Sequence, residues 1–511
     1  MQETSQTRSN SSLVPPDVRL IDLARAAGVP LAGRDVEISG IATDSRAVNP
    51  GELFVAVPGS NAHGMAFVPA ALERGAVAIC GTAPVPGVPT LLSGNPRRAL
   101  AALAAAFQGF PAHELPLIGI TGSLGKTSTA MLLEAALRES GIRAGVIGSL
   151  GVRFDGESRD TGMTTPEATE IHASLRRFVD AGAGVAVMEV TTHAIVQERV
   201  AGLVFALGVL TNLVPDEHLE FHPTPEHYIR TKARFFDMLA ERAPLVLNID
   251  DETVRSLTAS LRRPLIRVSG AEHPDAHVQA RGVELGIDGT TFELAIARRM
   301  MRADGSTLEP LTIPLELSLL GRQQVTNASL AATTALLTGA SPEAIQRAFA
   351  TMPQVTRRMQ VVHARDPFIL DDTVGNPASL QAVFDTVANI PHARLLVAYA
   401  VRGSRGVTIN RYNAEALASS VESVPAEIVL TSSDDASDDR NRVTEEEWNT
   451  VTAVLRERDI AFRIEPSLRD AVTSLVHSAG AGDLVLLLGA QGMDAGAQIA
   501  RDALATRSRV A

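Results

Sequence analysis

"GITGSLGKTSTAMLLEAAL", residues 119–137, reads as an apolar strand, a glycine-rich turn and the start of a helix. The full phosphate-loop pattern G-x-x-x-x-G-K-[ST] would place its first glycine at position 120, which is Ile. The loop here is the shortened Gly122-Ser123-Leu124-Gly125-Lys126-Thr127, followed by Ser128. Its physics is unchanged by the shortening. Backbone N–H groups of a tight turn and of a helix N-terminus cradle phosphates, a lysine adds a point charge near the β- and γ-phosphates, and a threonine hydroxyl can ligate Mg²⁺. A plain strand–turn–helix is the alternative, and it leaves the Gly-Lys-Thr-Ser cluster unexplained. The loop points to a bound nucleotide. Whether that nucleotide drives motion, signalling or the joining of two molecules depends on the rest of the chain.

The chain has 511 residues, which suits three domains of ordinary size, and 45% hydrophobic residues supply material for packed cores. Its longest apolar runs, such as "DLVLLLGA", are too short to span a bilayer. A net charge of -12 argues against phosphate backbones and anionic lipid surfaces as partners. No nucleic-acid or membrane partner is expected, and the chain is expected to be a monomer. The single cysteine, Cys80, excludes an intrachain disulfide and fits a cytoplasmic location. Residues 1–17 are polar and read as a disordered tail, not a signal peptide.

Outward from the loop, strands and helices alternate. "GELFVAVPG" and "FVPAALERGAVAIC" give a small α/β unit over 18–112, closed by the proline-rich "FPAHELP". A central unit, 113–350, carries the strands "RAGVIGSL", "GVAVMEV", "ALGVLTNL" and "APLVLNID", then an antiparallel appendage over 276–320. Within it "NASLAATTALLTGA" is a helix ending at Gly339, and a second begins after Ser341 with Pro342 in its first position. A third unit, 351–511, has strands in "PFILDD", "RLLVAYA", "AEIVLTSS" and "DLVLLLGA" with helices between. The expected class is therefore α/β, with mostly parallel sheets covered on both faces. Doubly wound sheets bind ligands outside the carboxyl ends of their strands. In the third unit those ends are Asp371-Asp372, Arg402-Gly403, Ser432-Ser433 and 489–492.

Other residues could join the loop in chemistry. "MEVTTHAIVQERV" ends a strand on Glu189, a carboxylate placed to hold Mg²⁺ directly or through water; a solvated loop is the alternative. "TNLVPDEHLEFH" crowds Asp216, Glu217, His218, Glu220 and His222 together, either as a metal or phosphate site or as a surface charge cluster. Lys232 in "YIRTKARFF" reads by itself as a surface lysine on an amphipathic helix.

Taken together and in this order, these segments resemble the Mur ligases, the ATP-dependent amide-forming enzymes of peptidoglycan assembly. They look most like the MurE type, which adds the third amino acid to a UDP-N-acetylmuramoyl-dipeptide. The resemblance runs over about 38–505 and rests on "TDSRAVNPGELFVAVPGSNAHG", "TGSLGKTS", "TTPEATEIH", "MEVTTHAIVQERV", "VLNIDDE" and "RRMQVV". It implies three domains: a small UDP-substrate domain, a central ATPase-like parallel-sheet domain and a C-terminal Rossmann-like domain for the amino acid. It also implies roles. Ser45, Ser60, Asn61 and Ala62 would contact the UDP moiety. Gly122 to Ser128 would hold ATP, with Lys126 catalytic and with Asn327 and Arg358 near the adenine and phosphates. Thr127, Glu189 and His218 would serve Mg²⁺, joined by Lys232 as the lysine that the family carbamylates. Thr164, Thr165, Thr191, Gln197 and Arg199 would hold the muramoyl-peptide end. The implied chemistry is transfer of the γ-phosphoryl to a carboxylate, followed by attack of an amine or amino acid on the acyl phosphate.

The third domain departs from the family pattern. Asp-Tyr-Ala-His-x-P becomes Asp372-Thr-Val-Gly-Asn-Pro377, without its histidine. Gly-Gly-Asp-Arg-Asp becomes Arg402-Gly-Ser-Arg-Gly406, in which Arg405 survives. The Asp-Asn-Pro-Arg motif that reads diaminopimelate falls in "TSSDDASDD", which has neither proline nor arginine. Gly-Lys-Gly-His-Glu falls on 489–494, where only Asp494 keeps a carboxylate. Arg405 and Asp494 are the expected remnants of the acceptor site, and diaminopimelate is not assigned as the acceptor. Lysine, another amine, or a different carboxylate and amine in a specialised pathway remain open, as does a non-catalytic protein that holds a UDP-linked precursor.

Overall fold

A computed structural model describes residues 18–59, 64–214, 222–286, 289–439 and 441–507. The chain forms two compact units. One takes residues up to Thr121 with Ile142–Gly208 and His227–Pro244; the other takes Gly122–Gly141, Val209–Glu226 and Leu245 onward.

The first unit opens with a five-stranded sheet in the order Leu31–Ala32, Thr90–Leu92, Ala78–Gly81, Glu52–Val55, Gly40–Ala42. Only the first of these runs antiparallel to its neighbour. The helix Pro96–Phe107 covers it, starting where the Asn95 side chain accepts from Arg98 N. Cys80 lies fully buried in this sheet, and burial pushes its thiol up to about 12, so it is an inert core residue. The same unit then pairs Val185–Glu189 in parallel with both Leu117–Thr121 and Ala144–Gly148. All three strands are buried throughout, as apolar runs without alternation require. Gly119 is needed here, because a Cβ would stand 2.6 Å from the Phe235 ring.

In the second unit the helix Lys126–Glu139 packs on Arg322–Thr338 and Pro342–Ala350. The expected ends of the latter pair are seen: Gly339 closes the first in a left-handed conformation, and the Ser341 side chain caps the second from Ala344 N. Ser329, Thr333 and Thr334 are buried on the first helix, and each hydroxyl donates to the carbonyl one turn back, so they cost the core no unpaired polar group. The strands Val278–Gly286, Gly289–Ile296 and Leu311–Leu317 form the antiparallel appendage.

Residues from Gln360 onward build a six-stranded sheet. Its order is Gln360–His363, Phe368–Asp372, Leu484–Gly489, Leu395–Ala400, Glu427–Thr431, Phe462–Ile464, and all but the first strand are parallel. Leu484, Leu486 and Leu488 face a core with Leu380, Leu417 and Leu455, while Val485 and Leu487 face another with Leu475 and Ile499. This is a sheet covered on both faces. Among the described residues, no helix is long and apolar enough to cross a membrane.

One side chain ties this last sheet's loops together. Glu447, 2% exposed, accepts from the backbone N–H groups of Ser404, Arg405 and Gly406 and from both the N–H and the hydroxyl of Thr444. Although burial opposes it, these donors hold its carboxyl below the usual range. Glu447→Ala is expected to cost on the order of 3 kcal/mol, because five donors lose a charged acceptor at once. Urea unfolding of the full chain measures it, and a loss within about 0.5 kcal/mol would contradict this account.

Candidate active site

In the second unit the phosphate loop is built by what surrounds it. Gly122 adopts φ 145°, and a Cβ there would stand 2.0 Å from Thr211 Oγ1. Thr211 Oγ1 donates to Leu124 O at 2.6 Å, and Asn212 Oδ1 accepts from Leu124 N at 2.8 Å. Ser123 N donates to Asn212 O, and Ser123 Oγ accepts from Val214 N at 2.8 Å. The segment 211–214 thus splints the loop from one side. On the other, Gly125 has φ 82° and leaves room for Asn327, whose Oδ1 a Cβ would approach to 2.3 Å. Asn327 is buried, with Nδ2 on Gln324 Oε1, and it lies against the loop at Gly125. Helix geometry gives the first-turn amides, those of Lys126 and Ser128 among them, no acceptor inside the helix. Lys126 Nζ donates to the loop's own carbonyls at Gly122 (2.8 Å) and Ser123 (2.7 Å). A phosphate would draw it off them. Thr211 and Asn212 are contributors that sequence reading missed; their signal is a polar pair directly after a buried strand.

In the first unit, Glu189 ends its strand opposite Ile120, two residues before the loop's first glycine. It is buried, and its carboxylate accepts from Ser149 N at 2.9 Å and Ser149 Oγ at 3.3 Å. Ser149 Oγ lies 2.9 Å from Thr164 Oγ1. Thr165 Oγ1 donates to Glu189 O at 2.8 Å and lies 3.1 Å from Thr191 Oγ1. The Arg199 guanidinium donates to Thr165 O and to Gln197 Oε1 and pairs with Glu167. So Thr164, Thr165, Thr191, Gln197, Arg199 and Glu189, spread over 36 residues of chain, form one continuous network. Ser149 and Glu167 are its missed members.

Lys232 departs from its surface appearance. It is 2% exposed, on the helix Pro225–Ala233, with Nζ 5.1 Å from the Tyr228 ring centroid. Ser45 is buried beside the exposed pair of Asp44 and Arg46, and the guanidinium holds the Asp44 carboxyl down at about 2. Ser60, Asn61, Ala62 and His218 lie outside the described residues. Among those described, no three His, Cys, Asp or Glu side chains group as a metal cage.

At the carboxyl end of the six-stranded sheet, Arg357 and not Arg358 is the hub. Its guanidinium donates to Ala490 O at 2.8 Å, to Gly489 O, to Asp371 Oδ1 at 3.4 Å and to Asp494 Oδ1. Arg358 donates to Arg357 O, and Arg405 meets Glu447 through its backbone N–H. Burial drives the Asp371 and Asp372 carboxyls up to about 6, outweighing the neighbouring arginines. The sequence signal for this hub was two carboxylates ending an otherwise apolar strand.

A phosphate loop between strand and helix, in an α/β chain whose sheets are largely parallel, defines a P-loop nucleotide-binding protein. Residues 37–108 match the profile of the Mur ligase family catalytic domain, 120–335 the Mur ligase middle domain, and 357–491 the Mur ligase glutamate ligase domain. The chain is 33% identical over 490 residues to UDP-N-acetylmuramoyl-L-alanyl-D-glutamate--2,6-diaminopimelate ligase of Streptomyces avermitilis, covering 94% of this chain and 93% of that one. A solved structure of a ligase with that same name superposes with TM-score 0.66 at 20% identity, over 95% of this chain and 99% of that one. MurF ligase of Thermotoga maritima, in complex with ADP, superposes with TM-score 0.64 at 19% identity, over 92% and 98%. The chain belongs to the Mur ligase family.

Two outcomes test this geometry. Gly125→Ala must strain a left-handed residue and press on Asn327, so fluorescent ADP affinity should fall about 100-fold, with circular dichroism unchanged. For Asp371, a raised folded value means that its contribution to stability is full below about pH 4 and is lost as pH rises through about 6. Asp371→Asn should therefore gain on the parent chain by up to about 3 kcal/mol between pH 4 and pH 7. Parallel pH–Tm curves for the two proteins would show that the carboxyl is not held up by burial.

Proposed function

We propose that this chain is an ATP-dependent ligase. It activates the peptide carboxylate of a UDP-N-acetylmuramoyl-peptide as an acyl phosphate and passes it to an amine or amino acid, in peptidoglycan precursor synthesis or a related pathway. The observation that carries this reading is the network closing on Glu189. Its hydroxyls and the Arg199 guanidinium are the groups the family resemblance assigns to the muramoyl-peptide end, and they meet in one place. A cytoplasmic reaction accords with the use of ATP and a nucleotide-linked precursor.

Taken residue by residue, the chemistry of the donors that the resemblance assigns suits Mg²⁺. Glu189 and Thr127 offer hard oxygen ligands. Lys232, buried in the core, would become a carboxylate-like ligand on carbamylation. With His218 these residues would hold the ion, which when bound would offset the charge building on the transferring phosphoryl group. Lys126 would leave its two carbonyls for the β- and γ-phosphates. Gly122, Ser123, Leu124, Gly125, Thr127 and Ser128 would enclose them, held in shape by 211–214. A carboxylate is a poor acylating group; as an acyl phosphate it carries a good leaving group, and the amine displaces phosphate. Arg405 and Asp494 would receive the acceptor. The lost family motifs argue against diaminopimelate, because a buried polar site discriminates through the partners it supplies.

The altered third domain favours a second reading, a ligase-fold protein that binds a UDP-linked precursor without turnover. One assay separates the two. Protein, ATP, Mg²⁺ and UDP-N-acetylmuramoyl-dipeptide are screened against an amine panel for phosphate release. Turnover with at least one amine is expected, and Lys126→Ala should lower it by about 100-fold or more with the fold intact. Precursor binding without turnover on any amine would establish the second reading.

A further inference from the structure

We infer that Arg357 is a positioning residue, fixing Asp494 so that one of its carboxylate oxygens is presented to the acceptor amine. The inference rests on the ligase reading above. Arg357 is unusual on three counts. Its backbone sits at φ 55°, a region that costs a side-chain-bearing residue about 1 kcal/mol or more. Its side chain is only 10% exposed. Its guanidinium reaches two adjacent strand ends at once, Phe368–Asp372 through Asp371 and Leu484–Gly489 through the carbonyls of Gly489 and Ala490. A strained backbone under a buried charge persists where the surroundings over-determine it, and such sites cluster where function needs a fixed geometry.

What that geometry fixes is Asp494. Its side chain is 65% exposed, yet Oδ1 is held by the buried guanidinium. An exposed carboxylate ordinarily samples several rotamers; this one is anchored at one oxygen. Among the described residues Oδ2 has no hydrogen-bond partner. Asp494 follows the strand Leu484–Gly489 at the carboxyl end of the sheet, the end at which doubly wound sheets bind ligands. Asp371 completes the arrangement from below. It is buried, its Oδ1 lies on Arg357 Nε, and its Oδ2 has no partner among the described residues. Asp371 therefore holds the guanidinium from the inside while Asp494 faces out. A carboxylate oxygen accepts from N–H donors, which suits the primary amine or ammonium of the acceptor in the ligase reading. Asp494 orients it, and Arg357 determines where Asp494 stands.

Full-length Arg357→Gly, Arg357→Lys and Asp494→Asn test this. Glycine removes the guanidinium and relieves the left-handed backbone, so this variant should fold. Steady-state kinetics give separate KM values for ATP, for the UDP-linked substrate and for the best amine of the panel. Arg357→Gly and Asp494→Asn should each raise the amine KM about tenfold, with the other two KM values within about twofold. The double variant should be no worse than Asp494→Asn alone, and Arg357→Lys should recover part of the loss. Saturation-transfer NMR with L-lysine and with diaminopimelate reads amine binding without turnover. If the parent chain binds an amine but turns none over, the ligase reading fails. Loss of that signal in both variants still upholds the role of Arg357. An amine KM or NMR signal unchanged in Asp494→Asn, a uniform rise of all three KM values in Arg357→Gly, or no amine binding by the parent chain overturns it.

Discussion

A carboxylate taken out of water must be met by donors, and Glu189 is 1% exposed. That requirement organises the first unit around it. The strand Val185–Glu189 is flanked on both sides by parallel neighbours, so its side chains are sealed until the last residue. At that residue Ser149 supplies both a backbone and a hydroxyl donor. Ser149 in turn reaches Thr164, and Thr165 grips the Glu189 carbonyl, so both threonines are strung from the same point. Gly148 has no side chain because one would stand 2.2 Å from Glu189 Oε1. Position, charge and neighbours follow from placing one acid at the end of one covered strand.

The second unit places its charges by the same logic and reaches a different balance. Asp371 and Asp372 also end a covered strand, but burial there outweighs the arginines beside them. The sheet end is thus a place where protonation, ion pairing and backbone strain are set against one another. The phosphate loop, by contrast, is held by neutral hydrogen bonds from 211–214 and by the shape of two glycines. Rigid neutral splints suit a loop that must receive a highly charged ligand, since they add no charge of their own.

Much of this was legible in the sequence. The strands were visible as short apolar runs, and the caps at Gly339 and Ser341 followed from residue type. The loop and the threonines of the Glu189 network came from spacing and family resemblance. What could not be read was burial against a tertiary neighbour. Lys232 looks amphipathic in its helix, and only packing makes it a core residue. Arg357 and Arg358 are adjacent and chemically alike, yet the backbone twist at Arg357 sends that side chain, and not its neighbour, inward. Asn212 is one polar residue after a strand until the fold carries the phosphate loop past it.

Glu447 has a consequence for anyone who would re-engineer the loop at 402–406. A helix of 17 residues begins at Val407, and the amides of the turn before it are the natural seat for an incoming carboxylate. Here the protein has seated its own acid there. Grafting a relative's charged residues onto 402–406 would therefore redecorate a socket already plugged from within. Freeing these amides is a two-site problem, and the second site lies about forty residues downstream, on a different helix.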